Sequence, residues 1–240
     1  MRNPWTSLPN QKPYALASDK ALLDSFNAKA PERYRFDLSL LPEPFFGVST
    51  APVVVLNLNP GLHPDDAAAH ANRDFANRSR RSLAHALHRY PFLHLHPHSR
   101  TAGANWWRLR TRELIQDLDI EQVANHLACV QFFPYHSSKY SGSTPRVPSQ
   151  EYSFYLVRQA ILRGAEIVIM RSQKLWLTAV PELANYSRLH LGSNPRASFI
   201  SRGNLKASYG VVLERLRGAA QQPVISEPIR AALTGCSQHR

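Results

Sequence analysis

The chain has 240 residues, 43% of them hydrophobic and 10% aromatic, enough to bury a sizeable core and too apolar for a disordered polyelectrolyte. Its 29 Lys and Arg outweigh 17 Asp and Glu, giving a formal charge of +12 and a pI near 10.2, which favours polyanionic partners, nucleic acid first and an anionic membrane surface second. No apolar run reaches the roughly 18 residues of a membrane span, the N-terminus lacks a secretory apolar core, and Cys129 and Cys236 are too few for an iron–sulfur cluster or a cysteine-based zinc site, so a cytoplasmic protein is expected.

Residues 1–49 read as an extended arm, with Pro4, Pro9 and Pro13, followed by a short helix capped by Ser18 whose Leu22, Leu23 and Phe26 share a face. Leu40 to Gly47 is too proline-rich for regular structure and should pack beside the first strand. That strand is Val53 to Leu56, which runs into the polar turn Asn57-Leu58-Asn59-Pro60-Gly61. A basic stretch then leads into a helix expected from about residue 79 to residue 89. His94, His96 and His98 alternate, a spacing that on a strand would suit zinc. Pro91 and Pro97 flank them without a neighbouring carboxylate or cysteine, so a solvated loop with no metal is the reading.

Asn105 is expected to cap a helix running to about Leu118, and Asp119 with Gln122 to start the next. Leu127 to Phe133 is a second apolar strand ending in a polar cluster that includes His136. Ser149 should cap a long helix that Gly164 closes. Ala165 to Met170 forms a third strand, Ser172 to Val180 a helix, and Arg188 to Leu191 a fourth strand leading into Asn194-Pro195-Arg196. Asn204 is expected to cap the last helix, whose buried face carries Leu205, Tyr209, Val212, Leu213 and Leu216; residues 218–240 read as a tail. Alternating strands and helices predict a three-layer α/β/α sandwich around a central, mostly parallel four-stranded sheet, with both Asn-Pro turns at the carboxyl edge where such sheets bind ligands.

The two turns, with Tyr90-Pro91-Phe92 and Asn105-Trp106-Trp107-Arg108-Leu109 between them, resemble motifs of the uracil-DNA glycosylase superfamily, nearest its mismatch-specific branch, over residues 50–217. The resemblance implies that Asn59 positions the attacking water and that Asn194 helps hold charge developing on the departing base. Leu58, Pro60, Gly61 and Pro195 would line the base pocket, Phe92 would stack on the extruded base, and Gln131 would read its edge. Arg196, Phe199, Ile200 and Arg202 would contact DNA, with Phe199 or Ile200 as the wedge filling the vacated stack. Two positions depart from the family: Asn57 stands where it has glycine, adding a side chain to the pocket, and Arg196 where it has serine.

The expected function is hydrolysis of the N-glycosidic bond of uracil or another damaged base in DNA, by a monomer, with no cofactor. Such a site needs water placement and stabilisation of negative charge more than a strong base. The alternatives are a catalytically inactive nucleic-acid-binding module on the same fold, or a nucleotide-binding protein.

Overall fold

The computed structural model describes residues 1–86, 89–194 and 197–220. Strands β1 (Phe45–Phe46), β2 (Val53–Asn57), β3 (Leu127–Gln131), β4 (Glu166–Ile169) and β5 (Leu189–Leu191) form one sheet in the order β1-β3-β2-β4-β5. The pairs β2–β3, β2–β4 and β4–β5 are parallel, and β1 runs antiparallel to β3. The mostly parallel α/β sheet is as expected, with five strands instead of four. The additional strand comes from the proline-rich stretch. Phe45 and Phe46 register with Val130 and Cys129, so this segment lies along β3 and not beside β2. Gly47, at φ +94°, lets the chain leave β1 against the β3 backbone; a Cβ there would stand 2.4 Å from Leu127 O.

Alternation along the strands feeds two cores. Val54, Leu56, Ala128, Val130, Ile167 and Ile169 face one way, covered by Leu23 of α1 (Ala17–Lys29) and by α7 (Gln150–Leu162) and α8 (Gln173–Ala179). Val53, Val55, Leu127, Cys129 and Val168 face the other, beneath α4 (Ala102–Arg110), α5 (Arg112–Asp117), α6 (Ile120–His126) and α10 (Ala207–Ala220). Helices on both faces of a doubly buried sheet make the three layers.

Several helix ends differ from expectation because a different side chain caps them. Leu16 occupies the cap of α1, and Ser18 instead bonds Asp19. Asp66–Ala71 forms α2, and α3 spans Arg73–Leu83 because Asn72 accepts from the N–H groups of Asp74 and Phe75. Thr101, not Asn105, caps α4, which ends at Arg110. Ser149 makes no side-chain cap bond. Asp119 does cap α6, accepting from Gln122 N at 2.7 Å. Ser201 caps α9 (Arg202–Leu205), freeing Asn204 to clamp the loop before it through Ala197 O and Phe199 O at 2.8 and 2.9 Å.

The N-terminal segment is bound into the first core. Trp5, Leu8, Ala15 and Leu16 are buried there, and Asn3 Nδ2 donates to Leu83 O at 2.7 Å. Asp19 is wholly buried and accepts from Tyr135 Oη at 2.8 Å and Ser149 N at 3.1 Å. Among the described residues no helix is long and apolar enough to cross a membrane.

Candidate functional site

From β2 the chain continues to β3 on one side and reaches β4 on the other, so the connections part at the carboxyl end of β2 and leave a crevice there. The crevice is a cleft of about 590 Å³, within the size range of small-molecule sites. Its walls are Asn57 to His63 after β2, Gln131 and His136 to Tyr140 after β3, and Arg171 after β4. Tyr34, Glu43, Asp66, His70, His94 and Trp106 close it from outside the sheet. The β2 and β3 turns are laced together: Phe132 N, Phe133 N and Ser137 N donate to the carbonyls of Asn57, Leu58 and Pro60 at 3.1, 2.7 and 3.3 Å. Rigid strands therefore present Asn57, Leu58, Asn59, Pro60 and Gly61 as one wall.

Three amides from the sequence reading meet in this cleft. Asn57 and Gln131 are register partners on β2 and β3, so their side chains leave the same face of the sheet. They are 6% and 2% exposed, and Asn57 Oδ1 and Gln131 Oε1 are buried without a hydrogen-bond partner. An orphaned buried acceptor costs on the order of 1–3 kcal/mol, which a fold keeps only where something else is served. Asn59 is held differently: its Nδ2 donates to Pro60 O at 2.8 Å and Ser137 Oγ at 3.0 Å. Its Oδ1 remains to accept from a water or a ligand.

Beneath this wall lies a cluster that sequence reasoning missed. Buried Glu43 accepts from His94 Nε2 at 3.0 Å, and His70 Nε2 stands 4.0 Å from its other oxygen. His94, His136 and His70 together outweigh burial and hold the Glu43 carboxyl at about 2. Burial, reinforced by His136, lowers His70 to about 4. Glu43, His70 and His136 bring one ligand atom each within 4.8 Å of one another, a metal-like spacing. Their hydrogen bonds nevertheless use the same nitrogens. Both His136 nitrogens are engaged with carbonyl oxygens, Gly61 O at 2.8 Å and Leu41 O at 3.1 Å. Leu41 N–H donates to His70 Nδ1 at 3.0 Å, which puts the ring hydrogen on the Nε2 that faces Glu43. A metal would need those lone pairs, so the bonding describes a buried carboxylate wrapped by imidazoles.

Other expectations are corrected. Phe92 is 0% exposed, packed edge-on against Phe46 and Trp107 at 4.7 and 4.9 Å, and does not line the cleft. His94, His96 and His98 are not on a strand: Leu93–Leu95 is a short 3-10 helix, and only His94 faces the cleft. Asn194 does sit at the carboxyl edge, but β5 is two strands from β2, roughly 10 Å across the sheet. It is exposed and outside the cleft lining, its N–H bonded to Asn204 Oδ1 at 3.1 Å. Pro195 and Arg196 lie outside the described residues. Ile200 is 0% exposed in the second core and so is no wedge. Phe199 is half-buried beneath the Arg110 guanidinium at 4.1 Å. Arg202 is held by Glu113 at 3.4 Å and Asp117 at 2.5 Å, two acids that a phosphate would have to displace.

Among the residues missed, His136 carried a signal, a polar cluster at the end of a strand. Glu43 had none, being one acid among prolines. No protein-family model, curated protein or solved structure matches this chain.

Proposed function

We propose that the cleft receives an extruded base and that the protein hydrolyses the N-glycosidic bond of uracil or another damaged base in DNA. The observation that carries this reading is the convergence of Asn57, Asn59 and Gln131 in one cleft, two of them with unpartnered buried amide oxygens. Amide groups fixed side by side suit the donor and acceptor edge of a nucleobase. Stacking, which Phe92 cannot supply, falls to rings that do line the cleft, Trp106 and Tyr140. Arg171 and Lys139 at the same walls supply cations for the flanking phosphates.

In this mechanism Asn59 Oδ1 orients a water toward the sugar. An amide cannot take the water's proton, but the Asp66 carboxylate lines the same cleft, and burial raises its affinity for protons. As the oxygen bonds to the anomeric carbon, the bond to the base breaks with its electron pair passing to the base nitrogen. The amide N–H groups of Asn57 and Gln131 stabilise that charge until the base is protonated.

The test is incubation with single- and double-stranded DNA carrying uracil or other lesions, followed by alkaline cleavage at abasic sites. Base release should fall by about 10²-fold or more in Asn59→Ala and in Asp66→Asn. Release no greater than that of Asn59→Ala would overturn the reading. A second reading, a nucleic-acid-binding module without catalysis, is favoured by the position of Asn194 outside the cleft. It is upheld by salt-sensitive binding with no base release.

A further inference from the structure

A second groove, of about 310 Å³, lies beside the main cleft and is lined by Arg78, Arg81, Arg89, Tyr90, His96 and His98, together with Pro97. The two share elements. Phe75 of α3 and His94 line the cleft, while Arg78 of α3 and His96 line the groove, three and two positions further along the chain. One helical turn separates Arg78 from Arg81, so both guanidinium groups rise from the same side of α3.

We propose that this groove binds the phosphodiester groups of a DNA strand whose base enters the main cleft, a proposal that rests on the function above only for the identity of the polymer.

Charge and hydrogen bonding both point to an anion. Three arginines face one another here, and the Nε of Arg78 is buried with no hydrogen-bond partner. Burial first, then Arg78, His98 and Arg108, lowers the proton affinity of His96, with Asp74 opposing. Two further arginines, Arg100 and Arg108, bond the carbonyls of the loop that carries His96 and His98. Arg108 takes His96 O, Ser99 O and Pro97 O at 2.8, 2.8 and 3.2 Å, and Arg100 takes Pro97 O at 2.9 Å. Glu121, at the rim, is shared between Arg89 and Tyr90, with three contacts of 3.2 to 3.3 Å. The rings suit a polymer better than free phosphate. Tyr90 lies under Arg89 at 5.5 Å and edge-on to His96 at 5.2 Å, an aromatic floor against which sugars and bases can lie.

Binding of short undamaged DNA, measured against salt concentration, tests this without chemistry at the cleft. Arg81 and Arg89 are exposed, so their removal leaves the core intact. Arg81→Gln/Arg89→Gln should weaken binding about tenfold at moderate salt and flatten the log–log salt slope by about 1.5. Glu121→Gln, which removes the competing carboxylate, should tighten binding, a gain that a merely structural role would not give. Arg158→Gln on α7, outside both the cleft and the groove, should change nothing. An unchanged slope in the double variant, or binding of inorganic phosphate without DNA binding, would overturn the proposal. Loss of base release with these binding results intact would overturn only the glycosylase reading.

Discussion

Two amide oxygens at the ends of adjacent strands, Asn57 Oδ1 and Gln131 Oε1, are buried without partners at the edge of the cleft. Such groups trade stability for recognition. Gln131→Met, close to it in shape, should therefore raise stability to denaturant by about 1 kcal/mol while sharply lowering base release. A variant that loses stability and keeps full activity would show the amide to be structural. The charge cluster below makes a second statement, about pH. His70 is held at about 4, below its ordinary 6.5, so the unfolded chain takes up a proton first and stability declines as pH falls through that window. The gap corresponds to roughly 3 kcal/mol. Glu43 is held at about 2, below 4.5, so its contribution is present above 4.5 and is lost as pH falls towards 2. Melting temperature should thus drop steadily on acidification from neutrality, and His70→Phe should flatten the upper part of that decline. At this scale the sequence exposed Asn59, because a β-branched strand delivers it to a polar turn. It hid Glu43 and His70, whose roles exist only once distant loops meet. It misplaced Phe92, because a local motif does not reveal that Trp107 will cover the ring.

Strand identity was readable wherever apolar periodicity was strong, as in β2, β3 and β4. β1 was not, because two residues among prolines carry no period; pairing to β3 creates that strand. Helix starts were misread where the capping side chain was one polar residue among several, as with Asn72 and Thr101. The departure from β1 depends on Gly47 twice over, through its φ of +94° and through the 2.4 Å approach of a hypothetical Cβ to Leu127 O. Gly47→Ala should destabilise the protein by about 2 kcal/mol or more, read as a shifted denaturation midpoint. A neutral result would mean that β1 can leave the sheet at little cost. Gly103 marks a similar approach, its missing Cβ making room for the His94 ring at 2.6 Å.

Taken whole, the molecule does not divide where its motifs do. Residues 50–217 carry the resemblance, yet Trp5, Leu16, Leu23, Phe36, Leu41 and Phe45 complete the first core. Tyr34 and Glu43 also belong to the cleft wall. A fragment of residues 50–217 should therefore show no cooperative thermal transition, whereas the full chain should unfold in one. A fragment that melts cooperatively would show the N-terminal segment to be an accessory. Composition anticipated the basic character of the surface but not its use. Arg202, which sequence order placed at the DNA, is engaged by two acids, while Arg78, Arg81 and Arg89, brought together by α3 and the following loop, line a second groove in which Arg89 is shared with Glu121.

Leu41 offers its own peptide group to the site, its N–H to His70 and its carbonyl to His136. What the histidines recognise there is main chain, so the identity of residue 41 matters to them less than the number of residues between it and Glu43. Apolar replacement of similar size at 41, where the side chain is buried in the first core, would leave both bonds available, whereas proline has no N–H to give. Inserting or deleting one residue at 42 would move the carboxylate relative to the imidazoles with every chemical group still present. The spacing from 41 to 43 is therefore a stricter requirement of the cleft than the side chain at 41.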